Sequence, residues 1–212
     1  MHRSATAAPL SGASVVKFKH NDMADLEATL QRPVSDDGAV LVIVDGLYSM
    51  EGDLAPLDTI AELCVRYHAA LMVDEAHSLG IYGEKLTGAA ELFGISNDVD
   101  VAMASLSKSP SSTGGFVTGS RDLIDSLRVN ARAFLFTTSG VPAAVGAALA
   151  SVRLIRSFQK AATAPDASST TPRSCAAACS RRASTWQDVR QRPPKTPPPR
   201  SCRCTSATIS SP

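Results

Sequence analysis

Hydrophobic and polar positions follow two different patterns in the first part of the chain. Residues 39–45 and 69–74 are continuous apolar runs that each end in aspartate, which is typical of strands covered on both faces in a parallel sheet. Between them, apolar residues from Leu57 to Cys64 recur at the spacing of one helix face, and Pro56 suits the first turn of that helix. These elements predict a right-handed βαβ unit with parallel strands.

Shorter hydrophobic patterns predict further elements on both sides of this unit. The strands cover residues 14–18, 100–104 and 115–118, and the helices cover 24–30, 121–133 and 141–156. Strands and helices in this order predict an α/β fold built on a doubly wound, mostly parallel sheet. Such sheets bind ligands beyond the carboxyl ends of their strands, where this pattern places Asp45, Asp74 and Ser105.

The composition changes abruptly after residue 157. Residues 160–212 contain nine Lys and Arg against two Asp and Glu, so this part carries +7 and, since the whole chain carries +1, the rest carries −6. Eight of the 13 prolines and four of the five cysteines lie there as well. A segment of this kind buries too little apolar surface to offset its ordering entropy, so we expect a disordered C-terminal tail.

Two interpretations of the tail remain open. Basic, proline-rich arms bind nucleic acid or acidic surfaces, although Trp186 is the one aromatic residue available for stacking after residue 160. The switch of composition in mid-helix is more typical of translation in a shifted reading frame. The cysteines of the tail match no common zinc spacing. We therefore expect that the chain binds neither nucleic acid nor metal. Its predicted parts are a loose segment at 1–13, a partial domain at 14–157 and a tail at 158–212.

Cysteine usage and hydropathy indicate in which cellular compartment the protein is found. Cys64 lies on an apolar helix face, as a buried structural cysteine does, so the body shows no disulfide framework. The chain contains no run of 18 apolar residues, and the segment that begins Met1-His2-Arg3-Ser4 lacks the apolar stretch of a signal peptide. These features predict a cytoplasmic protein that does not enter a membrane.

Lys108 lies in a loop of small and hydroxyl-bearing residues. Ser105 and Ser107 precede it, and the sequence SPSSTGG follows at 109–115. Such a loop suits close approach to an anionic group such as phosphate. A lysine in a loop is most often a solvated surface residue, and that interpretation stays open. Imine chemistry requires a lysine whose pKa is lowered by desolvation or by a cationic neighbour.

Two more polar residues follow the strand at 69–74. Asp74 ends the strand and His77 comes three positions later. Taken singly, each is typical of an ordinary loop residue or helix cap. Together with Lys108 they supply an amine, a carboxylate and an imidazole, which are the groups needed to hold and polarise a pyridine aldehyde. An ionised Asp74 would keep the ring nitrogen of such a cofactor protonated, so that the ring acts as an electron sink.

Four motifs occur in a fixed order within residues 11–157: DGLYSMEGDLAPL at 45–57, VDEAHSLG at 73–80, SLSK at 105–108 and FTTS at 136–139. As an ordered set they resemble the α-oxoamine synthases, which are fold-type-I pyridoxal-phosphate enzymes. The family includes 8-amino-7-oxononanoate synthase, glycine C-acetyltransferase, 5-aminolevulinate synthase and serine palmitoyltransferase. The resemblance implies that the predicted sheet belongs to the large domain of such an enzyme, here incomplete.

The resemblance also implies a catalytic role for three residues. Lys108 would form an imine with pyridoxal 5'-phosphate and later transfer a proton. Asp74 would pair with the pyridinium nitrogen, and His77 with the phenolic oxygen. The implied reaction is a decarboxylative condensation of an amino acid with an acyl-CoA, which is an acyltransferase activity.

Three further residues match cofactor contacts of the family. Ser49 matches a cofactor-contacting serine, and Ser105 keeps a hydroxyl where the family usually has threonine. Thr138 matches a residue that reaches the phosphate of the partner subunit's cofactor, which implies a homodimer. The family's glycine-rich segment before Ser11 and its small C-terminal domain after Ser157 have no match here, so the resemblance implies a truncated chain.

Other function classes remain as alternatives. A fold-type-I aminotransferase fragment would share Lys108 and Asp74, although the motifs at 45–57 and 73–80 favour the synthases. A non-catalytic remnant would keep the sequence of the central domain without its activity. The Asp-Glu-Ala-His run is also typical of nucleic-acid ATPases, but the chain lacks the Gly-x-x-x-x-Gly-Lys-Ser/Thr loop that those enzymes require.

Overall fold

Six strands and six helices make up the part of the chain that the computed structural model describes, which is residues 12–33, 38–163 and 205–210. The strands are β1 Ser14–Lys19, β2 Val40–Asp45, β3 Ala70–Asp74, β4 Val101–Ser105, β5 Gly115–Gly119 and β6 Thr205–Ser210. The helices are α1 Met23–Leu30, α2 Leu57–Arg66, α3 Ala89–Leu92, α4 Arg121–Asn130, α5 Arg132–Leu135 and α6 Pro142–Thr163.

The strands form one mixed sheet in the order β1-β6-β2-β3-β4-β5. β3 pairs in parallel with β2 and β4, whereas β5 is antiparallel to β4. β6 is antiparallel to both β1 and β2, so β1 and β2 point the same way. Four of the six strands therefore share one direction, which agrees with the predicted mostly parallel α/β sheet.

The main hydrophobic core lies on one face of the sheet. Val42 and Val44 of β2 and Leu71 and Val73 of β3 point to this face and are buried. The amphipathic helix α2 covers them with a buried stripe, and α1, α3 and the segment around Ile95 complete the layer. Burial of such aliphatic side chains contributes about 1.5–3 kcal/mol each, so this layer holds the central strands together.

The helices differ from the sequence prediction in three places. The predicted helix 121–133 is divided at Ala131, whose ψ of 102° is extended, so α4 and α5 are separate. Asn130 contributes to this break because its side-chain amide donates to the Ser126 carbonyl oxygen at 3.0 Å. α3 was not predicted, since four residues carry no helical periodicity. α6 runs to Thr163, beyond the predicted end at 156.

The structure also differs from the predicted tail at residues 158–163 and 205–210. The first of these ranges continues α6, and the second forms β6, which pairs with strands on both sides. Threonine and isoleucine favour strands, and β6 contains no proline or charged residue. The prediction of a disordered tail at 164–204 and at 211–212 lies outside the described residues. Within the described part, no helix is long and apolar enough to span a membrane.

Candidate active site

The carboxyl ends of β2, β3 and β4 bring the first predicted site residues together. Asp45 lies opposite Asp74 in the parallel register, and Asp74 lies opposite Met103. Ser105 is two residues beyond Met103, so strand alternation puts its side chain on the same face as Asp74. This face is the one opposite the main core. The position that the sequence predicted for these three residues is thus the one that the structure has.

Asp74 is oriented by the backbone that follows it. Its Oδ1 atom accepts a hydrogen bond from the Ala76 N–H at 2.9 Å, which turns the chain as soon as β3 ends. The side chain is half-buried. His77, also half-buried, lies in the same turn, which closes where the N–H groups of Ser78 and Leu79 donate to the Glu75 carbonyl oxygen at 3.1 and 2.8 Å.

Glu75 anchors this turn from the core side of the sheet, a role that the sequence analysis missed. Only 5% of the residue is exposed. Its carboxylate accepts from the backbone N–H groups of Ala89 and Ala90, both at 2.8 Å, and from the Ser78 hydroxyl. Its own N–H donates to the Met103 carbonyl oxygen at 2.7 Å. The Glu75 carboxylate therefore joins the Asp74–Ser78 turn to the start of α3, and the Glu75 backbone N–H joins the same turn to β4.

Two glycines leave room for the buried carboxylate. A Cβ atom at Gly46 would lie 2.8 Å from Glu75 Oε2, and one at Gly88 would overlap the same carboxylate. Gly88 also has a φ of 134°, which side-chain-bearing residues rarely adopt. Because Gly88 precedes α3 and carries no side chain, the first amides of this helix find their acceptor in Glu75.

Lys108 is exposed in a loop that its own hydrogen bonds close. The Lys108 carbonyl oxygen accepts from the Ser111 N–H at 2.9 Å, and Leu106 exchanges hydrogen bonds with Ser112 and Gly114 at 2.8 and 3.0 Å. The Ser112 hydroxyl donates to the Ala144 carbonyl oxygen at 2.6 Å, which ties the loop to α6. The loop is therefore held at its base, with Lys108 at its tip.

Ser105 and Ser107 form a hydroxyl pair beneath Lys108. Their Oγ atoms are 2.5 Å apart, and the Ser107 N–H donates to Ser105 Oγ at 3.2 Å. Both residues remain accessible to solvent. Hydroxyl and amide donors gathered in this way suit an anionic ligand.

Ser49 lies exposed in the loop that follows β2, and a network below it fixes that loop. His20 Nε2 is 3.1 Å from both carboxylate oxygens of Asp53, and the Asn21 side-chain amide donates to Asp53 Oδ2 at 3.1 Å. The His20 ring packs edge-on against Tyr48, with ring centroids 4.4 Å apart. The sequence analysis did not find this network, because His20 and Asn21 precede Asp53 by 33 and 32 residues in sequence.

The remaining predicted site residue lies apart from the others. Thr138 is exposed in the segment between α5 and α6. The other five lie at or just after the carboxyl ends of β2, β3 and β4: Ser49, Asp74, His77, Ser105 and Lys108. The structure thus gathers five of the six predicted residues at one edge of the sheet.

A cavity of about 340 Å³ lies on the core side of the sheet. Its wall includes Ala102, Ala104, Phe116 and Thr118 of the β4–β5 pair, together with Glu75. None of the six predicted site residues lines it. Asp74 and Ser105 point to the opposite face of the sheet, so this cavity is a separate feature.

Comparison with known proteins identifies the family of the chain. The profile described as aminotransferase class I and II matches residues 4–177. The chain belongs to the aminotransferase class I and II family. Among curated members, a serine palmitoyltransferase of Bacteroides thetaiotaomicron is 47% identical over 147 residues, which is 69% of this chain and 37% of that protein. An 8-amino-7-oxononanoate synthase of Treponema denticola is 44% identical over 146 residues, which is again 69% of this chain and 37% of that protein.

Solved structures of the family share the fold. A serine palmitoyltransferase from S. paucimobilis with bound PLP-myriocin aldimine superposes with a TM-score of 0.64 at 33% identity, over 68% of this chain and 37% of that one. An 8-amino-7-oxononanoate synthase from Francisella tularensis gives a TM-score of 0.55 at 26% identity, over 68% and 41%. The resemblance to α-oxoamine synthases is confirmed, and the chain spans about 37% of the length of the first curated relatives it matches.

Proposed function

We propose that this chain is the cofactor-binding part of a pyridoxal-phosphate-dependent acyltransferase of the α-oxoamine synthase type. The observation that carries the proposal is the placement of Asp74, Ser105 and the Lys108 loop at adjacent carboxyl ends of parallel strands. Relatives named serine palmitoyltransferase and 8-amino-7-oxononanoate synthase support it. The aminotransferase alternative has no comparable support beyond the shared family profile.

The groups at this edge fit pyridoxal phosphate. The cofactor presents a ring nitrogen, a phenolic oxygen, an aldehyde and a phosphate, and the edge offers a carboxylate, an imidazole, an amine and paired hydroxyls. When bound, the cofactor supplies an electron sink that stabilises negative charge on a substrate carbon. Asp74 would hold a proton on the ring nitrogen, and its contact with the Ala76 N–H keeps the carboxylate in position.

The other residues would bind and orient. Lys108 would hold the aldehyde carbon and then accept or return the proton of the substrate carbon at its Nζ atom. His77 would donate a hydrogen bond to the phenolic oxygen. Ser105 would donate to the phosphate, and Ser49 would contact the cofactor from the loop that His20 and Asp53 fix. An amino acid and an acyl-CoA would be the substrates.

A homodimer and a cytoplasmic location belong to the same proposal. Phe136 and Val141, on either side of Thr138, are 80% and 66% exposed. Apolar side chains exposed in one segment are typical of a surface that another protein covers. A second copy packed here would let Thr138 approach the partner's site. The buried, unpaired Cys64 thiol fits a reducing compartment.

The test is chemical trapping at Lys108. The purified chain is mixed with pyridoxal phosphate, its visible absorption is recorded, and the mixture is reduced with borohydride before peptide mapping. We expect a pyridoxyl adduct concentrated on the Lys108 peptide and lost in Lys108→Ala. Lys17→Ala, which removes an exposed lysine of β1, is the matched control and should leave that adduct unchanged. An adduct spread evenly over exposed lysines would refute the proposal and favour a non-catalytic remnant.

A further inference from the structure

Gly80 ends the turn that carries His77, and it meets the loop of Lys108. The Gly80 N–H donates to the Leu86 carbonyl oxygen at 2.8 Å, and the φ of Gly80 is 78°, in the left-handed region. Glycine adopts this conformation without the steric cost that a side chain adds. The turn is therefore held at both ends, by Glu75 at its start and by Leu86 at Gly80.

The space beside Gly80 is occupied by Ser109, the residue that follows Lys108. A Cβ atom at position 80 would overlap the Ser109 hydroxyl and would lie 3.2 Å from the Ser109 Cβ atom. Ile155 of α6 closes the same space, with its Cδ1 atom 3.3 Å from that position. Carbon atoms in favourable contact are about 3.5–4.0 Å apart. The turn, the Lys108 loop and α6 can therefore meet here because residue 80 has no side chain.

The backbone of Ser109 has little freedom to move away from this contact. The next residue, Pro110, is fully buried, and a residue that precedes proline is restricted to extended conformations. The Ser111 N–H donates to the Lys108 carbonyl oxygen at 2.9 Å, which closes the loop around Ser109. The Ser109 hydroxyl can rotate away from an added methyl group, but its Cβ atom cannot. A side chain at position 80 would therefore displace the Lys108 loop itself.

We propose that Gly80 is a positioning residue for Lys108. Its contact with Ser109 sets how closely the Lys108 loop approaches the turn that carries His77. This inference rests on the proposed function, in which Lys108 and His77 act on one cofactor. Misplacing a reacting group by about 1 Å can cost about 10²-fold in rate. The contact therefore affects imine formation at Lys108, although Gly80 touches no reacting group.

The test adds a methyl group at position 80 and compares it with the same change at a glycine of similar backbone conformation. Gly80→Ala places a Cβ atom against Ser109. Gly94→Ala is the matched control, because Gly94 has a φ of 73° and nothing lies within 4 Å of an added Cβ atom. Both variants carry the cost of a side chain in the left-handed region, so a difference between them reports the contact. Circular dichroism and urea unfolding check that each variant is folded.

Trapping of pyridoxal phosphate on Lys108 is the first readout. Each chain is mixed with the cofactor, reduced with borohydride at a series of times and digested for peptide mapping. We expect Gly80→Ala to lower the initial rate of adduct formation on the Lys108 peptide at least about threefold, whereas Gly94→Ala should keep the rate of the unchanged chain. Ser109→Gly removes the side chain that the added methyl group meets. In that background, Gly80→Ala should therefore cost much less.

Hydrogen exchange without cofactor is the second readout, and it does not depend on the proposed function. The Ser111 and Ser112 amides donate within the Lys108 loop at 2.9 and 2.8 Å, and they should exchange faster in Gly80→Ala than in Gly94→Ala. If the unchanged chain forms no adduct on Lys108, the proposed function fails and the exchange rates alone decide the contact.

Three results would each overturn the positioning role of Gly80. The first is equal exchange of the loop amides in Gly80→Ala and Gly94→Ala. The second is an adduct that forms on Lys108 at the same rate in these two variants. The third is a loss of rate in Gly80→Ala that Ser109→Gly does not relieve.

Discussion

Replacing Glu75 by alanine tests whether this carboxylate joins the site turn to the core. The substitution removes the acceptor of three hydrogen bonds, from the N–H groups of Ala89 and Ala90 and from the Ser78 hydroxyl. Ala89 and Ser78 are fully buried and Ala90 is 7% exposed, so these donors have little access to bulk water. A buried donor left without its partner costs about 1–3 kcal/mol.

The expected loss follows from these three donors. At the lower value for each, Glu75→Ala lowers the free energy of unfolding by about 3 kcal/mol. The lower value is appropriate because Glu75 borders the cavity of about 340 Å³. Water from this cavity can enter part of the space that the removed carboxylate leaves, and can accept a hydrogen bond there. Since small domains are stable by about 5–15 kcal/mol, a loss of this size is readily measured by urea unfolding.

Two further variants make the measurement specific. Glu75→Gln keeps one side-chain oxygen as an acceptor and should lose less than the alanine variant. Glu84→Ala removes an exposed carboxylate from the nearby loop and should stay within about 0.5 kcal/mol of the unchanged chain. If Glu75→Ala and Glu84→Ala unfold at the same urea concentration, the anchoring role of Glu75 is wrong.

Two other predictions follow from ionisable groups. Burial, aided by the nearby Asp100 carboxylate, raises the pKa of the Cys64 thiol from 9.0 to about 12. Iodoacetamide should therefore leave Cys64 unmodified at mildly alkaline pH until urea unfolds the chain. Peptide mapping that finds Cys64 alkylated in the folded protein would contradict this. Partial burial opposes ionisation of Glu91, but hydrogen bonds from the Thr87 hydroxyl and from the Lys85 and Thr87 amides, with the charge of Lys85, lower its pKa below the ordinary 4.5. The contribution of ionised Glu91 to the free energy of unfolding is therefore present above pH 4.5 and is lost as the pH falls through the lowered pKa. Glu91→Gln should thus flatten the acid side of the stability profile, and an unchanged profile would count against these contacts.

The sequence by itself determined the local elements and the strand ends. A strand that is covered on both faces has no alternation of polar and apolar residues, so the continuous apolar run at 39–45 predicted an interior strand. In the structure, Val42, Ile43 and Val44 of this run are buried. Asp74 and Ser105 could be placed at a common edge because parallel strands end on the same side. Ordered motifs then indicated the α-oxoamine synthases, which the profile match together with the curated relatives and solved structures confirmed.

Only the tertiary structure decided the contacts between distant residues. Glu75 meets Ala89 and Ala90 across a loop, and His20 meets Asp53 from 33 residues away. β6, which is the last of the described strands in sequence, lies between β1 and β2 in the sheet. Periodicity reports which face of an element is apolar, whereas these pairings depend on which donors and strand edges remain open once the elements have packed.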